Sequence, residues 1–122
     1  MQNKTVVDDL SVRSWGGIWR TQIAPPLGAT PHMKILFIGD IVGKPGRALT
    51  RTAVGDLVDH HGIDLVVANV ENAAGGSGIT REIGDSIRDH GVDVMTSGNH
   101  IWAKREALDY IQLEPRLLRP AN

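Results

Sequence analysis

From residue 33 onward the chain alternates two kinds of hydrophobic pattern. Short, continuous apolar runs occupy residues 34–39 (KILFIG), 65–70 (LVVANV) and 92–96 (VDVMT). This is the form taken by strands of a parallel sheet, and the first run reads as a strand buried on both faces. After each run, apolar residues return at helical spacing: Leu49, Ala53, Val54, Leu57 and Val58, then Ile79, Ile83 and Ile87, then Ala107, Leu108 and Ile111. The stops agree, since His60-His61-Gly62 and His90-Gly91 place polar side chains and then glycine where the first two helices end. The third helix is expected over residues 104–112, with Ala107, Leu108 and Ile111 turned inward, and Pro115 and Pro120 mark irregular chain beyond it. The order is βαβαβα, an α/β fold with a parallel sheet. Right-handed crossovers make its strands point one way, so their C-terminal ends share an edge.

Residues 1–32 break this pattern. Gly16-Gly17, Pro25-Pro26, Gly28 and Pro31 interrupt any period, so the segment is expected to be a poorly ordered N-terminal extension. Trp15, Ile18 and Trp19 suggest a short amphipathic turn that could lie on an exposed sheet face. Composition narrows the class. With 122 residues, 41% hydrophobic, a net charge of −1 and no cysteine, the chain fits one globular domain without a disulfide framework or thiolate metal site. Basic clustering with interleaved aromatic rings is missing, so no dedicated nucleic-acid surface is expected. No apolar run approaches the roughly 20 residues of a membrane span, and a cytoplasmic location is the default.

Chemistry concentrates just past the strand ends, where Asp40, then Glu71 and Asn72, then Asn99 and His100 occur. Open α/β sheets bind ligands at this edge. Two carboxylates, two amides and an imidazole form a set rich in the hard oxygen donors that divalent metals take. Singly, each has a plainer reading. Asp40 could cap a helix, Asn72 and Asn99 are ordinary turn residues, and "NAAGGSG" at 72–78 could be a connection without a ligand. Gly39, Gly43 and Gly46 fit neither the dinucleotide fingerprint nor the P-loop, and suit a tight turn better. His32, His60, His61 and His90 fall in the leader or at helix ends, with solvated or capping roles. It is the combination at one edge that points to metal-assisted chemistry.

The segments "KILFIGDIVGKPGR", "VVANVENAAGGSGIT", "VDVMTSGNHIW" and "LLRPAN" resemble, in that order, the N-terminal part of the YmdB-like metallophosphoesterases of the calcineurin-like superfamily. The resemblance implies the first half of an αββα sandwich and hydrolysis of phosphodiesters, with cyclic nucleotides as the substrate class. It implies two divalent cations, usually iron or manganese. By position, Asp40 matches a ligand of the first metal, Glu71 the bridging glutamate, Asn72 a further ligand of the first metal and Asn99 a ligand of the second. His100 matches the proton donor to the leaving group.

The family pattern continues past "RPAN" with further histidine ligands, including a late Gly-His-x-His, whereas no histidine follows His100 here. Residues 33–122 are therefore expected to form a truncated domain with incomplete metal shells and an apolar sheet face left open, favouring a homo-oligomer or a separate C-terminal half. Two smaller departures are Val70, where glycine is usual and which could crowd Glu71, and Ala103, which replaces an aspartate near His100. Two functions follow: a metal-dependent phosphodiesterase, or a non-catalytic remnant or one chain of a split enzyme.

Overall fold

The computed structural model describes residues 32–121; the leader with Trp15, Ile18 and Trp19 lies outside the described residues. Strands β1 (Ile35–Ile38), β2 (Leu65–Asn69) and β3 (Val94–Thr96) form where the apolar runs predict them, and a fourth, β4 (Leu117–Leu118), follows. All pair in parallel in the order β1-β2-β3-β4. The fourth strand corrects the expectation of irregular chain between Pro115 and Pro120. It is only a two-residue pairing, fixed by Met95 and Thr96 opposite Leu117 and Leu118 and by Met95 N–H donating to the Arg116 carbonyl at 2.8 Å.

Helix α1 (Gly43–His61) begins at the second of the three glycines expected to form a tight turn. Gly43 turns the chain with φ of 53°, and Pro45 lies in the first turn, where a missing N–H costs no intrahelical bond. The helix stops at Gly62, whose left-handed backbone lets its N–H reach the Val58 carbonyl. Helix α2 (Arg81–Asp89) is capped by Thr80, whose hydroxyl accepts from Ile83 N–H at 3.3 Å. A 3-10 turn (Asn99–Ala103) then precedes α3 (Glu106–Leu113). That turn shifts the phase of the third helix. Ala107 and Tyr110 are buried, Ile111 packs partly, and Leu108, expected inside, is exposed.

Register separates the two faces of the sheet. Ile38, Ala68, Met95 and Leu117 line up on one face with Leu36 and Val66, and on them pack Val54 and Val58 of α1, Ile87 of α2 and Ala107 and Tyr110 of α3. Monotonic strand order with right-handed crossovers puts all three helices on that face. The other face carries Ile35, Phe37, Leu65, Val67, Val94 and Leu118, none of them buried. Among the described residues strand β1 is covered on one face only, with Phe37 61% exposed, which differs from the expected burial on both faces. Among the described residues no helix is long and apolar enough to cross a membrane.

Candidate active site at the strand ends

Parallel topology brings the ends of β1, β2 and β3 to one edge. Main-chain bonds then draw the following loops together. Ile41 N–H donates to the Asn69 carbonyl at 2.9 Å, Gly43 N–H to that of Asn72 at 3.0 Å, and Val70 N–H to that of Thr96 at 2.9 Å. Residues 40, 71–72 and 99–100, far apart in sequence, become neighbours.

Four of the five expected site residues are joined by hydrogen bonds. The Asn72 amide nitrogen donates to Asp40 Oδ2 at 2.9 Å, and its oxygen Oδ1 lies 2.6 Å from His100 Nδ1. The backbone N–H of His100 donates to Glu71 Oε2 at 3.1 Å. This network fixes a tautomer. A carboxylate only accepts, so Asn72 must turn its NH2 to Asp40 and its oxygen to His100, and Nδ1 of His100 must carry a hydrogen. The ring's Nε2 is left outside these contacts. Asn99, beside His100 in the 3-10 turn, is exposed and its side chain bonds to none of the other four among the described residues.

Two contributors escaped the sequence reading. Asn69, the last residue of β2, accepts from Glu71 N–H through Oδ1 at 3.0 Å and donates from Nδ2 to Glu71 Oε1 at 3.5 Å. It grips both the backbone and the carboxylate of the glutamate. Gly98 leaves room for the same carboxylate, since a Cβ there would lie 2.6 Å from Oε2. An amide closing an apolar strand, and the glycine before Asn99, were the available signals.

The loop "NAAGGSG" is a built turn. Gly75, Gly76 and Gly78 all have positive φ, and the N–H groups of Gly76 and Gly78 are engaged by the carbonyls of Asn72 and Glu71. Those two amides hold the loop to the site residues and are not free for a phosphate. Val70 is fully buried in the core cluster. Ala103 is exposed and sits against Gly78, where a Cβ would come within 3.4 Å of it. Of the remaining histidines, His60 and His61 pack edge to face in the last turn of α1, and His90 closes α2 with Nδ1 at 2.5 Å from the Ser86 carbonyl.

The donors suit a hard divalent cation in kind: carboxylate oxygens of Asp40 and Glu71 and an amide oxygen of Asn72 with a lone pair beyond its bond to His100. In number they are a partial shell, for among the described residues no group of three His, Cys, Asp or Glu side chains is placed to hold an ion.

Comparison with known proteins agrees with this architecture. The chain is 46% identical over 90 residues to a 2′,3′-cyclic-nucleotide 2′-phosphodiesterase of Bacillus subtilis, a match covering 74% of this chain and 34% of that protein. It superimposes on the crystal structure of a phosphatase of Mycoplasma pneumoniae with a TM-score of 0.70 and 32% identity, over 74% of this chain and 32% of the other. A hypothetical protein of Thermus thermophilus gives a TM-score of 0.65 and 38% identity, over 72% and 34%. The chain thus spans about a third of the length of the relatives it matches. The parallel sheet with its helices is an α/β fold shared with that phosphatase, and with the family model for YmdB-like proteins matching residues 36–122, the chain belongs to the YmdB-like family.

Proposed function

We propose that this chain carries the proton-donating and part of the metal-holding machinery of a phosphodiesterase acting on phosphodiesters such as cyclic nucleotides. The supporting observation is the hydrogen-bonded series Asp40–Asn72–His100–Glu71 at one sheet edge. The Bacillus subtilis relative, a cyclic-nucleotide phosphodiesterase by name, supports the substrate class. In this reading Asp40, Glu71, Asn72 and Asn99 hold two divalent cations, iron or manganese, and the protein is cytoplasmic. Such ions supply neutralisation of the phosphate charge and lower the pKa of an attacking water.

The residues of the chain do the rest. Asn72, held by Asp40, accepts from His100 Nδ1 and so sets the ring with Nε2 outward. A proton on Nε2 can pass to the oxygen of the departing alkoxide. Glu71 is oriented by Asn69 and by the His100 backbone, so the carboxylate and the imidazole are positioned by the same short turn. Neutral Asn72 and Asn99 add oxygen donors without cancelling the cations' pull on the phosphate.

A second reading rests on the donor count. Because the described residues lack a group of three strong ligands, residues 32–121 would serve as a non-catalytic remnant or as one part of a split enzyme whose other donors lie elsewhere. One experiment separates the two: manganese-dependent hydrolysis of bis-p-nitrophenyl phosphate by the full chain, His100→Ala and Glu71→Ala, with bound metal counted in each. Turnover lost in both variants supports the enzyme. No turnover and little bound metal in the parent chain supports the second reading.

A further inference from the structure

A second concave feature lies between α1 and α2. It is a groove of about 340 Å³ lined by Lys44, Arg47, Thr50 and Arg51 from α1 and by Ser86 and His90 from α2 and its cap. None of Asp40, Glu71, Asn72, Asn99 or His100 reaches it. We propose that this groove binds the phosphate group of a small phosphomonoester.

The sign of the lining is the first argument. Over the whole chain 13 basic residues face 14 acidic ones, so a typical concavity would mix the two. This one has two arginines and a lysine, and no carboxylate. The first turn of α1 contains no acidic residue to offset Lys44, which the positive pole of the helix disfavours there.

Partnering is the second argument. On α2 the arginines are neutralised, Arg81 by Asp85 and Arg88 by Asp85 and Glu114. In the groove, Lys44 and Arg51 have no hydrogen-bond or ion-pair partner among the described residues. Arg47 donates from Nη1 to the Ala73 carbonyl, which anchors the guanidinium and leaves its other N–H groups for a ligand. A phosphate dianion supplies the missing counter-charge and matches the planar fork of arginine.

Size and chemistry then select the ligand class. The volume is at the low end of the roughly 300–1,000 Å³ of small-molecule sites, which suits a phosphate with a small organic group. No Phe, Tyr or Trp lines the groove, so it lacks the large stacking platform of a single-stranded nucleic-acid site.

The test is a titration of the isotope-labelled full chain by amide NMR, with inorganic phosphate and separately adenosine 5′-monophosphate, at constant ionic strength and with chelator present. Saturable shifts at residues 44–51 and 86–90 are expected. They should weaken by about tenfold or more in the Lys44→Gln/Arg51→Gln double variant. Both side chains are on exposed residues, and unchanged dispersion of the other amides verifies the fold. His100→Ala should bind as the parent does. Equal affinity for both probes means that phosphate alone is read, and tighter nucleotide binding means that the sugar or base adds contacts; either supports the site. Shifts centred on residues 71–72 and 99–100, retention of affinity in the double variant, or no saturation by either probe would overturn it.

Discussion

Gly98 stands against the carboxylate of Glu71 so closely that a Cβ would lie 2.6 Å from Oε2 and 2.8 Å from Oε1. With φ of −129° Gly98 is outside the left-handed region, and the space taken by the carboxylate is what calls for a glycine here. Two residues later, the His100 N–H takes hold of the same oxygen. Gly98-Asn99-His100 is therefore a wrapping around Glu71, and the end of β3 is shaped by the carboxylate at the end of β2.

Gly98→Ala should push the Glu71 side chain aside and break its bond to the His100 backbone. The displaced group is the tip of a half-buried side chain, so the cost to stability is expected to be small, about 1 kcal/mol. The functional cost should approach that of Glu71→Ala in the metal count and in hydrolysis. The His100 amide resonance reports the bond directly, and an unmoved resonance in Gly98→Ala would show that Glu71 had not been displaced.

The sheet face that the described residues leave uncovered makes a separate prediction. Phe37 is 61% exposed and Ile35 54%, while Leu36 and Ile38 between and beyond them pack on the core. Replacing Phe37 by Thr keeps a strand-forming residue and removes an exposed ring. Binding of a hydrophobic dye and self-association by sedimentation should both fall, with stability to urea changed by less than about 0.5 kcal/mol. A loss of several kcal/mol would mean that the ring is packed in solution.

Much of this was legible from the sequence because it depends on local periodicity. The runs at 34–39, 65–70 and 92–96 give the strands, and Asp40, Glu71, Asn72 and His100 converge because parallel strands end together. What escaped depends on contacts between distant segments. The two-residue β4 has no period of its own and exists through pairing with Met95 and Thr96. Leu108 and Tyr110 exchange roles because the 3-10 turn before α3 rotates the helix, which no spacing within the helix reveals. The grip of Asn69 on Glu71 depends on a side chain folding back over its own strand end.

Glu114 should be the most sensitive charged position outside the site. Its side chain is 8% exposed and accepts from Arg88 Nη1 and from Arg116 Nε, the latter at 3.1 Å. Breaking such a pair from one side leaves the other charge poorly solvated. Arg88 retains 22% exposure, which lowers the penalty from the full buried value to about 2 kcal/mol for Glu114→Ala. Urea unfolding measures it, and Arg88→Met combined with Glu114→Leu should recover most of the loss.

Tyr110 gives the chain an alkaline limit. It is 2% exposed, donates to Asp85 Oδ1 at 3.0 Å, and packs so tightly that a Cβ on Gly84 would lie 2.5 Å from its ring. Burial, then the hydrogen bond and the negative charge of Asp85, raise its pKa well above the ordinary value of 10.0. The unfolded chain ionises near that ordinary value while the folded chain keeps the proton. Between the two pKa values the native state binds more protons, so stability must fall as pH rises above about 10 and is fully present below it. Because Tyr110 is the one tyrosine in the sequence, phenolate absorbance reports it alone. Absorbance should appear together with unfolding and not before, and Tyr110→Phe should remove this tyrosine's share of the alkaline loss. A phenolate signal near pH 10 in a chain that is still folded would show that the hydroxyl is open to solvent.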